Sequence, residues 1–227
     1  MLIILILVCF TFTFMPNYAI VGASGLIGGH ILQELQQQSA ASITLIVRRS
    51  LALSDPKLTE VKVDFSKQEQ LNHALRGFDA VFVAVGTTQK QVKGDRVAYR
   101  RIDHDIPVSV AAACAYNQIP SLLVVSSVGA NASSGNFYLR IKGEVEDRIA
   151  AMNIPYIGIF QPSLLLGERK EFRLGEKVSQ YLMPLLSPMM PARYRPITAS
   201  AVAKAMVREA NKHQRGVVRY TYSSMLN

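Results

Sequence analysis

Three side chains in the second half of this sequence could carry proton-transfer chemistry together. Tyr138 and Lys142 lie four residues apart in a stretch of helical periodicity, which puts them on one face within reach of a common ligand. A free tyrosine ionises near pH ~10, so acting at neutral pH needs a downward shift of roughly three units, or about 4 kcal/mol. Lys142 is the neighbouring ammonium that can supply part of it. Tyr138 would then donate a proton to a carbonyl oxygen, or take one from an alcohol, while a serine hydroxyl holds that oxygen. Ser127 is the first choice for that hydroxyl and Ser126 the reserve, since both end the apolar run Leu122–Val125. A Tyr-x-x-x-Lys spacing arises easily by chance, so position supplies its weight. The pair lies in the helical stretch that follows the same run.

A second set of residues suits a phosphate. Gly22, Gly25 and Gly28 stand at G-x-x-G-x-x-G spacing between a strand-like run and a helical one. Lacking side chains, they permit a sharp turn, a close approach to a pyrophosphate and tight helix-to-strand packing, with helix N–H groups facing the anion. An acid about 20 residues further on would hold the ribose hydroxyls of an unphosphorylated dinucleotide. None occurs between Glu34 and Asp55; the second apolar run ends instead in Arg48-Arg49, whose guanidinium groups can clamp a 2′-phosphate. The expected cofactor is NADP(H). Asp64-Phe65 and Gly86-Thr87-Thr88 end the next two runs, where adenine and ribose would lie, although turn chemistry explains them equally well.

These residues need a scaffold, and the pattern supplies one. Strand-like runs at Tyr18–Val21, Ile43–Val47, Val61–Phe65, Ala80–Val85, Leu122–Val125 and Tyr156–Phe160 alternate with helical stretches at Ile27–Gln38, Lys67–Arg76, Val97–Tyr116 and Phe137–Met152. Such alternation predicts an α/β fold, a Rossmann-type doubly wound parallel sheet with helices on both faces. Pro107 predicts a kink or a late start in the third helix. Residues 16–227 read as one domain, in which the proline-rich 161–227, with a last helix at Ala199–Asn211, forms a small substrate lid. Residues 1–15 are an uncharged apolar extension shorter than the roughly 20 residues a spanning helix needs, expected not to be native, with Met15 as the start.

Composition excludes several classes. Of 227 residues 49% are hydrophobic and 18% charged, which excludes disorder. Cys9 and Cys114 cannot build a disulfide framework, so a reducing, cytoplasmic setting is expected. The net charge of +9 suits an anionic partner, but the basic residues are dispersed, so no nucleic acid is expected. Arg169, Lys170, Arg173, Arg193 and Arg195 instead hint at a small anionic substrate, or at plain exposed surface. Hydrolase elbow, zinc-protease and P-loop signatures are missing. Asp103-His104-Asp105 is expected to form a solvated face.

Taken together, Gly22–Gly28, Val47-Arg48-Arg49, Val85-Gly86-Thr87-Thr88, Val125–Ala130, Tyr138–Glu146 and Pro162–Arg169 resemble the atypical branch of the short-chain dehydrogenase/reductase superfamily, similar to the Tat-interacting-protein-like oxidoreductases and their bacterial relatives. The resemblance covers nearly all of Asn17–Met206. It implies Ser24, Gly25, Leu26, Ile27, Arg48, Arg49, Val85, Gly86, Leu165 and Arg173 as NADP(H) contacts, Tyr138 as proton donor and Lys142 on the nicotinamide ribose. Relatives often carry Arg where this chain has Gln161 before Pro162, which puts any contact of that charge in question. The activity implied is hydride transfer between NADPH and a small carbonyl or alcohol. Two alternatives stay open: an NADPH-binding sensor or regulatory partner without turnover, and an enzyme resembling nucleotide-sugar epimerases or dehydratases.

Overall fold

In the computed structural model the described residues are 15–38, 42–53, 55–166, 191–212 and 214–227. The apolar stretch 1–14, Arg169, Lys170 and Arg173 lie outside them.

Five- and six-residue apolar runs become strands because both their faces are covered. Strands β1 (Asn17–Val21), β2 (Ser42–Val47), β3 (Leu58–Lys62), β4 (Ala80–Val83), β5 (Ser121–Val125) and β6 (Tyr156–Phe160) pair in parallel, and a last strand, β9 (Gly216–Tyr220), joins the edge of β6. The order is β3-β2-β1-β4-β5-β6-β9. Strand order reverses between β1 and β4, and in such sheets ligands bind beyond the carboxyl ends at that switch point. Two short strands, β7 (Leu165–Leu166) and β8 (Ile197–Thr198), form a separate parallel pair beyond β6.

Alternate strand residues feed two cores. On one face Tyr18, Ile20, Leu45, Phe82 and Phe160 pack under α1 (Leu26–Gln36) and α6 (Ala199–Ala210). On the other, Val21, Ile46, Val81, Val83 and Ile159 pack under α2 (Gln68–Ala74), α4 (Ile106–Tyr116) and α5 (Phe137–Ala150). A short helix α3 (Arg96–Arg100), capped by Asp95, runs into α4 through a π turn at Arg101–Asp105. Another short helix, α7 (Tyr222–Leu226), ends the chain.

Three boundaries differ from the sequence pattern. The third strand ends at Lys62, not Phe65, because Val63 turns into the core and Phe65 into a cavity. The fourth ends at Val83; Ala84 leaves the ladder to meet the glycine loop. Strand β9 carries no sequence signal because it is an edge strand with only Tyr220 fully buried. It is held by Tyr220, whose ring stacks on Phe160 at 4.6 Å and whose hydroxyl lies 2.8 Å from that of Tyr156. Part of 161–227 therefore builds the domain itself, as an edge strand and a core helix.

Gly143 fixes how α5 seats. A Cβ there would lie 2.1 Å from the Ala132 nitrogen and 2.2 Å from the Asn131 carbonyl carbon, both backbone. Gly143→Ala is expected to lower stability by about 2–3 kcal/mol, read as a lower urea midpoint; an unchanged midpoint would contradict this close packing.

Candidate active site

Each candidate group sits where a strand ends. After β1 the chain turns at Gly22 with φ +97°, where a Cβ would lie 2.7 Å from the Ala84 carbonyl oxygen, so only glycine lets this loop touch the end of β4. The Gly25 N–H donates to the Gly22 oxygen at 3.0 Å, and Gly25 caps α1 with no side-chain acceptor and no acid in the first turn. The positive end of α1 is thus left for an external anion. Gly28 lets α1 press on the loop, its missing Cβ lying 2.1 Å from the Gly22 oxygen. Ser24 and Gly25 are exposed, whereas the Ile27 side chain is core and offers a ligand only its backbone.

A cavity of about 1030 Å³ opens between the ends of β2 and β3 and the α3–α4 rod, lined among others by Arg48, Lys62, Asp64, Phe65, Arg101 and Ile102. Arg49 is exposed and does not line it. Asp64 accepts from the Ser66 hydroxyl at 2.7 Å and the Ser66 N–H at 3.0 Å, which holds its carboxyl below the usual range. Arg48, Lys62 and Arg101 make no side-chain hydrogen bond or ion pair among the described residues. The cavity thus joins an apolar ring-sized wall to uncommitted positive charge, which fits an adenosine bearing a phosphate. Lys62 and Arg101 escaped the sequence analysis because isolated basic residues read as solvated surface.

The end of β5 and the start of α5 meet on the other side of the switch point. Asn136 caps α5, accepting from Tyr138 N–H at 2.9 Å and Leu139 N–H at 3.2 Å. This sets Tyr138 in the first turn, 36% exposed, and Lys142 one turn later, 5% exposed. The two serines have different surroundings. Ser126 is buried and donates to Glu146 Oε1 at 2.5 Å, while Ser127 is half-buried with only a long 3.4 Å contact to the Val128 oxygen. The Ser127 hydroxyl is the one available to a ligand.

The expectation of a solvated Asp103-His104-Asp105 face is wrong for two of the three. Asp103 is 1% and His104 6% exposed; only Asp105 faces solvent. Asp103 Oδ1 lies 3.1 Å from Lys142 Nζ and its Oδ2 accepts the Thr87 N–H at 2.7 Å. Burial, then Asp103, pushes the Tyr99 phenol well up, so it stays a donor. The cause is Pro107: without an N–H it cannot bond the carbonyl of residue 103, and the backbone widens so that Ile106 N–H reaches Arg101 O. The extra residue rotates Asp103 inward. A proline four residues after an acid in a helical pattern was the available signal.

Gln161 donates to both oxygens of buried Glu146 at 2.9 and 3.0 Å, and Arg219 of β9 reaches Oε2 at 3.1 Å, so the charge facing this carboxylate comes from the neighbouring strand. Leu165, in β7, is half-buried and pairs with Ile197 beyond β6.

Comparison with known proteins agrees with this geometry. Residues 22–213 match the NAD(P)H-binding family model. Protein HTATIP2 of Rattus norvegicus is 31% identical over 192 residues, covering 83% of this chain and 78% of that protein. Protein FMP52, mitochondrial, of Candida albicans is 36% identical over 200 residues, covering 85% and 87%. Among solved structures, the Bordetella bronchiseptica enzyme WbmH in complex with NAD+ superposes with a TM-score of 0.70 at 17% identity, covering 92% of this chain and 76% of the other. MoeE5 in complex with UDP-glucuronic acid and NAD superposes at 0.69 and 17% identity, covering 91% and 76%. At those identities the superpositions speak for the fold alone. With the glycine loop, the parallel sheet and the relatives in agreement, the chain belongs to the NAD(P)H-binding family, as an HTATIP2-like atypical short-chain dehydrogenase/reductase.

Proposed function

We propose that the protein is an NADP(H)-dependent oxidoreductase acting on a small carbonyl or alcohol. The observation that carries this is the grouping of Ser127, Tyr138 and Lys142 beside a glycine loop and a basic adenosine-sized cavity, all at one edge of the sheet. NADP(H), when bound, supplies or accepts the hydride. The N-terminus of α1 would hold its pyrophosphate, Arg48 with Arg49 its 2′-phosphate, Asp64 and Phe65 its adenine, and Val85 and Gly86 the backbone passing its ribose. Leu165 and Arg173 complete the contacts.

The chain's own residues then divide the work. The Tyr138 hydroxyl donates its proton to the carbonyl oxygen in reduction and removes one from the alcohol in oxidation. Ser127 holds that oxygen by a hydrogen bond, which strengthens as negative charge develops on it. The Lys142 ammonium lowers the cost of the Tyr138 phenolate and offers its remaining N–H groups to the nicotinamide ribose. Arg96 and Arg140 lie over the Phe137 ring at 5.2 and 5.8 Å, and keep the approach to Tyr138 positive, which supports a substrate bearing an anionic group. The segment 161–227, beyond the strand and helix it gives to the domain, would serve as the substrate lid. A cytoplasmic location suits the cofactor, although the Candida albicans relative is named mitochondrial.

Titration of cofactor fluorescence is expected to give NADPH at least ~10-fold tighter than NADH, with the preference lost in Arg48→Ala/Arg49→Ala; binding of neither nucleotide would overturn the proposal. Tyr138→Phe is expected to keep NADPH affinity and lose turnover by about 10²-fold or more. A protein that binds NADPH yet shows no Tyr138-dependent reduction across a panel of aldehydes and ketones would be a cofactor sensor. The serines should separate as well. Ser126→Ala is expected to cost about 1–2 kcal/mol in urea unfolding. Ser127→Ala should leave stability unchanged and lower kcat, and equal stability losses would contradict the division.

A further inference from the structure

The proposed roles of Tyr138 and Lys142 leave unused the buried acid that pairs with Lys142. Asp103 is 1% exposed, is not among the residues lining the adenosine cavity, and takes two donors from two elements, Lys142 of α5 and Thr87 of the loop after β4. Among the described residues Lys142 Nζ has no other partner. An ammonium this deeply buried loses its proton readily unless an anion faces it.

We infer that Asp103 is a positioning residue that keeps Lys142 charged and fixed above pH 7, by tying it through the Thr87 N–H to the loop that passes the cofactor ribose. This rests on the reading of Lys142 as the residue that meets that ribose. One ammonium proton points at Asp103 Oδ1, so two remain for ribose hydroxyls and for the field at Tyr138. Thr87 follows Gly86 directly, and a Cβ on Gly86 would come 3.6 Å from Asp103 Oδ1. The carboxylate therefore sets the spacing between the backbone on one side of the ribose site and the ammonium on the other. The π turn is what makes this possible, since a regular helix would carry Asp103 to another face.

Of the other ionisable groups on the surrounding elements, Arg101 of the π turn lines the adenosine cavity, Arg96 and Arg140 lie over the Phe137 ring, and Asp147 and Arg148 are exposed. Arg100 of α3 pairs with Glu144 of α5, and His104 of the π turn bonds Asp105. Glu146 of α5 is held by Ser126, Gln161 and Arg219. Tyr99 and the Cys114 thiol of α4 are both pushed up by burial, and Tyr138 faces Tyr99. Lys142 thus has one anion to answer to. Asp103→Asn removes that anion while keeping the side-chain size. The ionisation of Lys142 should then move down by at least one pH unit.

The test follows Lys142 directly, by NMR of protein labelled with 13Cε-lysine, its signal assigned by loss in Lys142→Met, alongside the pH dependence of NADPH affinity from cofactor fluorescence. Wild-type Lys142 should stay protonated past pH ~10.4, the ordinary lysine value. In Asp103→Asn it should titrate at least one unit lower, and NADPH affinity should fall several-fold across that same titration while wild-type affinity stays level. An unshifted lysine, or a shifted lysine with level NADPH affinity, would overturn the proposal and leave the functional reading standing. A wild-type protein that binds no NADPH at any pH would overturn both. If Asp103→Asn does not fold, the wild-type titration decides: a Lys142 that deprotonates below pH ~10 overturns the proposal, and one that resists deprotonation supports it.

Discussion

The buried contact between Lys142 and Asp103 constrains more of this molecule than any other single interaction. A lysine with 5% exposure gives up most of its hydration, and the facing carboxylate offsets that loss. That carboxylate can reach it only from a helix whose backbone has widened by one residue, and the widening follows from Pro107. The same acid accepts the Thr87 N–H, which holds the loop after β4 at the distance where Ala84 meets Gly22. Helix α5, the π turn, the β4 loop and the glycine loop are therefore located by one chain of contacts. Breaking a buried pair by removing one partner typically costs about 3–5 kcal/mol, a large share of what holds an ordinary domain together.

Much of this was legible in the amino-acid order, and the parts that were not share a physical cause. Strands covered on both faces announce themselves as continuous apolar runs, so β1, β2, β4, β5 and β6, and the glycine loop between the first strand and first helix, could be read directly, whereas the edge strand β3 was expected at Val61–Phe65 and lies at Leu58–Lys62. The seventh, β9, is half exposed and depends on Tyr220 meeting Phe160 and Tyr156, partners some 60 residues away. Tyr138 and Lys142 are local to one helix and so visible; Asp103 is 39 positions before Lys142, and its burial depends on a backbone irregularity that periodicity averages away. Adjacent serines look alike in sequence. Only the position of Glu146 twenty residues later distinguishes Ser126, bound inside, from Ser127, half-buried with no close partner.

The Glu146 cluster shows how a charge can change its address without leaving its post. Gln161 gives the carboxylate two hydrogen bonds but no charge, and Arg219 brings the charge from β9, the strand that the pattern failed to reveal. The edge strand accordingly does more than extend the sheet: it delivers a guanidinium to the base of the helix that carries Tyr138.

The π turn also bears on how this chain tolerates change in length. Its one surplus residue is held in register at both ends, by the Asp95 cap before α3 and by the packing of α4 under the sheet. Losing one residue between 101 and 105 would remove the surplus residue that turns Asp103 inward, and the acid would no longer face the lysine. At this point in the fold a more regular helix is the defective one, and a gap in an otherwise well-matched sequence here would mark a different working arrangement of the site.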